Sequence, residues 1–147
     1  KPVHIRQRLD IGLALGQLLG RAMQQADMRV RALDDFDLIA VHVEATDEAG
    51  HAGNVTEKVK ALERIDEHIV APLLEKLRQF AEWRILVVPD HYTPCTTTAH
   101  DATPTPFAMA GHGITPSNAA QFSEAAAAVT GVMVDTGHTL MGQFLSN

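Results

Sequence analysis

Apolar and polar positions alternate along this chain with two different periods, and the switches between them outline its elements. Over residues 10–33, Leu15, Leu18, Leu19 and Met23 recur at helical spacing, which predicts a helix despite the glycines at 12, 16 and 20. The next segment, DLIAVHVEA at 37–45, is almost continuously Leu, Ile and Val. A run of that kind predicts a buried strand of a parallel sheet. His42 sits inside it and reads as a core histidine with no assigned role.

A helix start signal follows. Asn54 and Glu57 form an N-x-x-E pattern, an N-cap with a side chain three residues on that is able to reach back to it, so a helix is expected from about Val55. Val59, Leu62, Ile65, Ile69, Leu73 and Leu77 then recur in steps of three and four, one apolar stripe suited to lie against a sheet. Lys58, Lys60, Glu63, Arg64 and Glu67 read as its solvated face, and Pro72 is expected to kink or restart the helix.

RILVVPD at 84–90 reads as a second buried strand that ends in an acid. The stretch 91–106, HYTPCTTTAHDATPTP, has no period, and a loop of that length within a compact domain is usually functional. FAMAG from Phe107 reads as a third short strand, and SEAAAAVTG and HTLMGQFLSN read as closing helices. The alternation of strand and helix predicts an α/β domain, a parallel sheet flanked by helices, with residues 1–147 forming one unit without an internal linker.

Composition changes this picture little. With 147 residues and 46% hydrophobic content the chain is of single-domain size and should fold. A formal charge of -6 and no Lys/Arg cluster argue against a nucleic-acid surface. No run of about 18 apolar residues is present, so no membrane span is expected. The start, KPVHIRQRLD, has no signal-peptide pattern and no initiating Met, which suggests processing or excision from something longer. A single cysteine, Cys95, excludes an internal disulfide and fits a reducing, cytoplasmic setting.

The chemistry concentrates in VEATDEAGHAGN and in the segment after the second strand. Ligands of open α/β sheets bind outside the carboxyl ends of the strands. Asp47 and His51 follow the first predicted strand, Asp90 and His91 the second, and His100 lies in the long loop. Carboxylate with imidazole is a donor set for zinc, manganese, iron or cobalt, and the lack of cysteines in it favours a catalytic over a structural centre. Gly50 and Gly53 are expected to turn the backbone so that Asp47 and His51 face one point. Neighbours in extended chain point in opposite directions, so Asp90 and His91 would serve two ions more easily than one. A two-ion site would supply the positive charge that an acidic chain lacks for a phosphate ligand. Each residue also has a plainer reading, as a turn cap or a surface side chain; His4, His68, His112 and His138 are read only that way, as surface or loop residues.

DFDLIAVHVEATDEAGHAGN, KVKALERIDEHIVAPLLEKL, RILVVPDHYTPC and AHDATPTPFAMAG together resemble the cofactor-independent phosphoglycerate mutases of archaeal type, within the alkaline phosphatase superfamily. The likeness is close over about residues 33–111, with a weaker echo in GHTLMGQFL. It implies an alkaline-phosphatase-like fold, two divalent ions (manganese, zinc, cobalt or magnesium) with no need for 2,3-bisphosphoglycerate, and a phosphoserine intermediate that passes phosphate between the 3 and 2 hydroxyls of glycerate. By motif, Asp47, His51 and His100 correspond to the ligands of one ion, and Asp90 and His91 to ligands of the other. The chain's serines, Ser117, Ser123 and Ser146, all follow these motifs, and the family's upstream aspartate motif is also missing. The chain therefore resembles the C-terminal part of such an enzyme, truncated at its N-terminus and inactive alone. A threonine serves as nucleophile elsewhere in this wider superfamily, but Thr46, Thr93, Thr96, Thr97 and Thr98 lack an evident activating base and read as loop hydroxyls that satisfy backbone groups. The same ligands would also suit a metal-dependent phosphatase or phosphodiesterase, or a fragment that only binds metal.

Overall fold

The computed structural model describes residues 30–146, and the helix expected over 10–33 lies outside them except for its helical end at 30–32. The described chain is α/β and falls into two compact units, one of residues 30–80 with 93–101 and the other of 81–92 with 102–146.

The first unit is helical. Helix α1 spans Ala45–His51 and α2 spans Val55–Ile65; a π-helical segment, Asp66–Val70, joins α2 to α3, Ala71–Leu77. The strand expected at 37–45 is not present: only Leu38 and Val41 make isolated bridges, and Ala45 already belongs to α1. An apolar run becomes a strand only where its backbone finds partners along its length, and here two residues find them.

The tie between α1 and α2 follows from local chemistry. Gly53 takes φ +65°, a conformation that costs any residue with a Cβ. It lets the Gly53 N–H donate to the Gly50 carbonyl and the Asn54 N–H to that of Ala49, both at 2.9 Å, which closes α1 in a Schellman motif. Asn54 then opens α2, its Oδ1 accepting from the Glu57 N–H at 3.1 Å. The reciprocal half of the expected box is replaced, because the Glu57 carboxylate accepts from Lys60 Nζ at 2.9 Å.

Pro72 restarts the helix as expected, standing in the first turn of α3. It has no N–H for the carbonyl four residues back, and the wider π turn immediately before it absorbs the defect. The same π turn splits the apolar stripe. A stripe spaced for an α-helix stays on one face only while the helix keeps that period. Ile69 is buried, whereas Val59 and Leu62 are half exposed rather than laid against a sheet.

In the second unit, β1 (Arg84–Val87) pairs with β2 (Ala108–Gly111) in antiparallel register, Arg84 opposite Gly111 and Val87 opposite Ala108. The expected parallel arrangement is thus not what these strands form. The chain leaves β1 and returns along it through the 91–106 region without a crossover helix, and an antiparallel pair needs none. Helix α4, Glu124–Val129, is capped by the Ser123 hydroxyl, which accepts from the Ala126 N–H at 3.2 Å. A 3-10 turn, Gly137–Thr139, leads into α5, Leu140–Leu145. Arg84 anchors this end: its Nε donates to the His112 carbonyl at 2.7 Å and its Nη1 to the carbonyls of Phe144, at 2.8 Å, and Ser146. A guanidinium on the last carbonyls of a helix satisfies groups that the helix leaves unpaired.

Candidate metal centre

Three of the five expected residues meet within the first unit. Asp47 and His51 are four positions apart on α1, so they share a face because the segment is helical, not because glycines turn it. The buried face of α1 is Ala45, Ala49 and Gly50, which leaves the other face for function. His51 Nε2 lies 3.5 Å from Asp47 Oδ2. His100, from the loop, brings its Nε2 to 3.1 Å from His51 Nε2 and 3.5 Å from Asp47 Oδ1.

These separations suit a shared ion. Nitrogen and oxygen ligands about 2.0–2.1 Å from a tetrahedral metal stand about 3.4 Å from one another, and 3.1, 3.5 and 3.5 Å lie near that value, with His51 facing one oxygen of Asp47 and His100 the other. The protonation of His51 also fits. Its Nδ1 is 2.8 Å from the Thr98 carbonyl, which can only accept, so Nδ1 carries the proton and Nε2 presents a lone pair. Thr98 delivers that carbonyl from φ +54°, an unusual conformation for a β-branched residue. Strain of this kind persists where its surroundings hold it, often at functional sites.

Asp90 and His91 belong to the second unit. β1 ends at Val87, so the two are not neighbours in a continuing strand, and the premise that they point in opposite directions fails. His91 Nε2 lies 3.6 Å from Asp90 Oδ2, and the His91 N–H donates to Asp90 Oδ1 at 3.1 Å.

Sequence reasoning missed two contributors. Thr93, read as a loop hydroxyl for backbone groups, is buried and donates through Oγ1 to Asp47 Oδ1 at 2.5 Å. Lys58, read as part of a solvated face, donates to the Thr93 carbonyl at 2.6 Å. Gly50 is needed for close approach, since a Cβ there would collide with that same carbonyl. The only signal in the sequence was the polar-to-glycine pattern around Asp47, which does not name these partners. Of the other histidines, His4 lies outside the described residues, and His112 and His138 are exposed as expected. His68 departs from expectation, half-buried in the π segment beside Glu67. His42 is half-buried and 3.9 Å from Glu44.

The profile of one protein family, described as the metalloenzyme superfamily, matches residues 17–146. The chain belongs to the metalloenzyme superfamily. It is 35% identical over 134 residues to a 2,3-bisphosphoglycerate-independent phosphoglycerate mutase of Methanothrix thermoacetophila, covering 90% of this chain and 34% of that protein. It is 49% identical over 81 residues to the enzyme of the same name from Methanosarcina mazei, covering 54% and 20%. Among solved structures it is similar to the PH0037 protein of Pyrococcus horikoshii, with a TM-score of 0.76 and 28% identity over 84% of this chain and 37% of that one. The resemblance to these mutases in the sequence motifs is thus borne out, and this member of the superfamily spans about a third of the length of the first of these relatives.

Proposed function

We propose that this chain is the metal-binding C-terminal portion of a phosphoglycerate mutase that interconverts 3-phosphoglycerate and 2-phosphoglycerate. The observation that carries the reading is the convergence of Asp47, His51 and His100 at ligand spacing in a chain of the metalloenzyme superfamily. The names of its relatives supply the substrate class, a small phosphate ester. In the full protein the apolar run at 37–44 takes its place in a parallel, alkaline-phosphatase-like sheet, and the enzyme works in glycolysis in the cytoplasm.

Asp47, His51 and His100 would hold one divalent ion, and Asp90 and His91 would contribute to a second. Bound there, such ions stabilise charge on the phosphoryl oxygens and on the attacking and leaving oxygens. The chain's own residues prepare for this. His51 keeps its proton on Nδ1, toward Thr98, and so offers Nε2. The Asp47 carboxylate is fixed by Thr93. Its serines are otherwise engaged: Ser117 Oγ accepts from the Ala119 N–H, Ser123 caps α4, and Ser146 donates to the Gln143 carbonyl. All three also follow the metal motifs in sequence, where the family's nucleophile precedes them, so the phosphoryl-accepting serine would come from the remainder of the enzyme, and no catalytic nucleophile is assigned here.

Membership of the site is tested by equilibrating the chain with manganese or zinc and counting retained ions by elemental analysis. One or two ions per chain are expected, and none would overturn the reading. The reaction is tested on the full-length protein with 3-phosphoglycerate followed by phosphorus NMR. A 2-phosphoglycerate signal is expected; orthophosphate in its place would mean that the site serves a phosphatase or phosphodiesterase.

A further inference from the structure

We propose that Thr93 and Lys58 are positioning residues that set the orientation of the Asp47 carboxylate before an ion arrives. The inference rests on the reading of Asp47, His51 and His100 as metal ligands. A carboxylate on a surface helix turns about its own bond, and each orientation it can adopt is one it must give up on binding. The Asp47 side chain is partly exposed, and a hydroxyl from the loop restrains its rotation. The Thr93 hydroxyl, 46 positions away, grips Oδ1, while Oδ2 lies toward His51 Nε2.

Thr93 is itself held. It is only 4% exposed. Its carbonyl accepts from Lys58 Nζ, which reaches it from the second turn of α2. Gly50 stands against both groups, its missing side chain leaving the room that the Thr93 carbonyl and the Lys58 ammonium occupy. Asp47 and Gly50 lie on α1 and Lys58 on α2, so the relay from Lys58 through Thr93 to Asp47 ties the ligand to both helices. Hydrogen-bonded partners behind a metal ligand commonly fix its geometry and influence affinity as much as tenfold to a hundredfold.

The test is titration of the metal-free chain with manganese or zinc by calorimetry, with the visible spectrum of the cobalt form as a second readout. Thr93→Val, which keeps the shape and removes the donor, should weaken binding about 10- to 100-fold and shift the cobalt bands, and Thr93→Ser should restore both. Lys58→Met, which keeps the length of the side chain and removes the donor to the Thr93 carbonyl, should weaken binding several-fold in the same direction. Asp47→Asn is the control for the underlying reading. If it leaves binding unchanged, Asp47 is not a ligand and the metal assignment itself fails. If it abolishes binding while Thr93→Val and Lys58→Met bind and absorb as the parent does, the assignment stands and the positioning role is overturned. A loss of thermal stability in Thr93→Val with unchanged affinity and spectrum also overturns it, because a structural contact alone would do that.

Discussion

Asp47, His51 and His100 differ from Asp90 and His91 in how they come to be close. The first group joins a helix to a loop across 49 positions, and its spacing exists only when the first unit is folded. The second is a pair of chain neighbours whose contact is largely local. Ligands assembled by tertiary structure gain affinity from every group that holds them, whereas ligands adjacent in sequence begin close whatever the fold does. The comparison teaches that the first group should be the more sensitive to remote changes.

The largest effect is expected from His51→Ala. Loss of one of three converging ligands should weaken tight binding by more than about 100-fold in a calorimetric titration, while Asp90→Ala should lower the number of bound ions and spare the remaining tight one. An unaltered titration in His51→Ala would break the comparison. Next in size is Arg84→Met, which removes the guanidinium from three carbonyls of the second unit. It should cost about 2 kcal/mol in urea unfolding without reducing the affinity of the tight site. A fall in that affinity would show that the two regions are not independent.

Gly53→Ala should cost about 1–2 kcal/mol, since it forces a Cβ into a left-handed conformation. Because Gly53 ends the helix that bears Asp47 and His51, the strained helix end should also bind metal less tightly, seen as a smaller metal-induced rise in melting temperature than in the parent. An equal rise would separate the helix end from the site. The smallest effect belongs to Thr98→Gly. Relief of the φ +54° strain should offset the added chain entropy and leave stability within about 1 kcal/mol of the parent. A loss much larger than that would mean that the Thr98 side chain, and not only its carbonyl, supports His51.

What could be read from the sequence was what is local. The Asn54 cap and the restart at Pro72 each depend on residues within a few positions, and each stands where the pattern places it. Asp47 and His51 were also legible as partners, but for the wrong reason. Two glycines near acids suggested a turn, while the true cause was a short helix whose glycine makes room for Thr93. The strand at 37–45 failed because pairing is a property of distant chain, which an apolar run does not reveal. Thr93 and Lys58 escaped for the same reason, since their partners lie 46 and 35 positions away.

Asn54 carries a consequence beyond the caps themselves. Its backbone closes one helix and its side chain opens the next, so the two share a single residue as hinge pin. No slack exists between them. One residue added between His51 and Val55 would separate the bond that closes α1 from the cap that opens α2 and move Lys58 away from the loop it secures. Chain length here is thus a coordinate of the site, as much as any of its side chains.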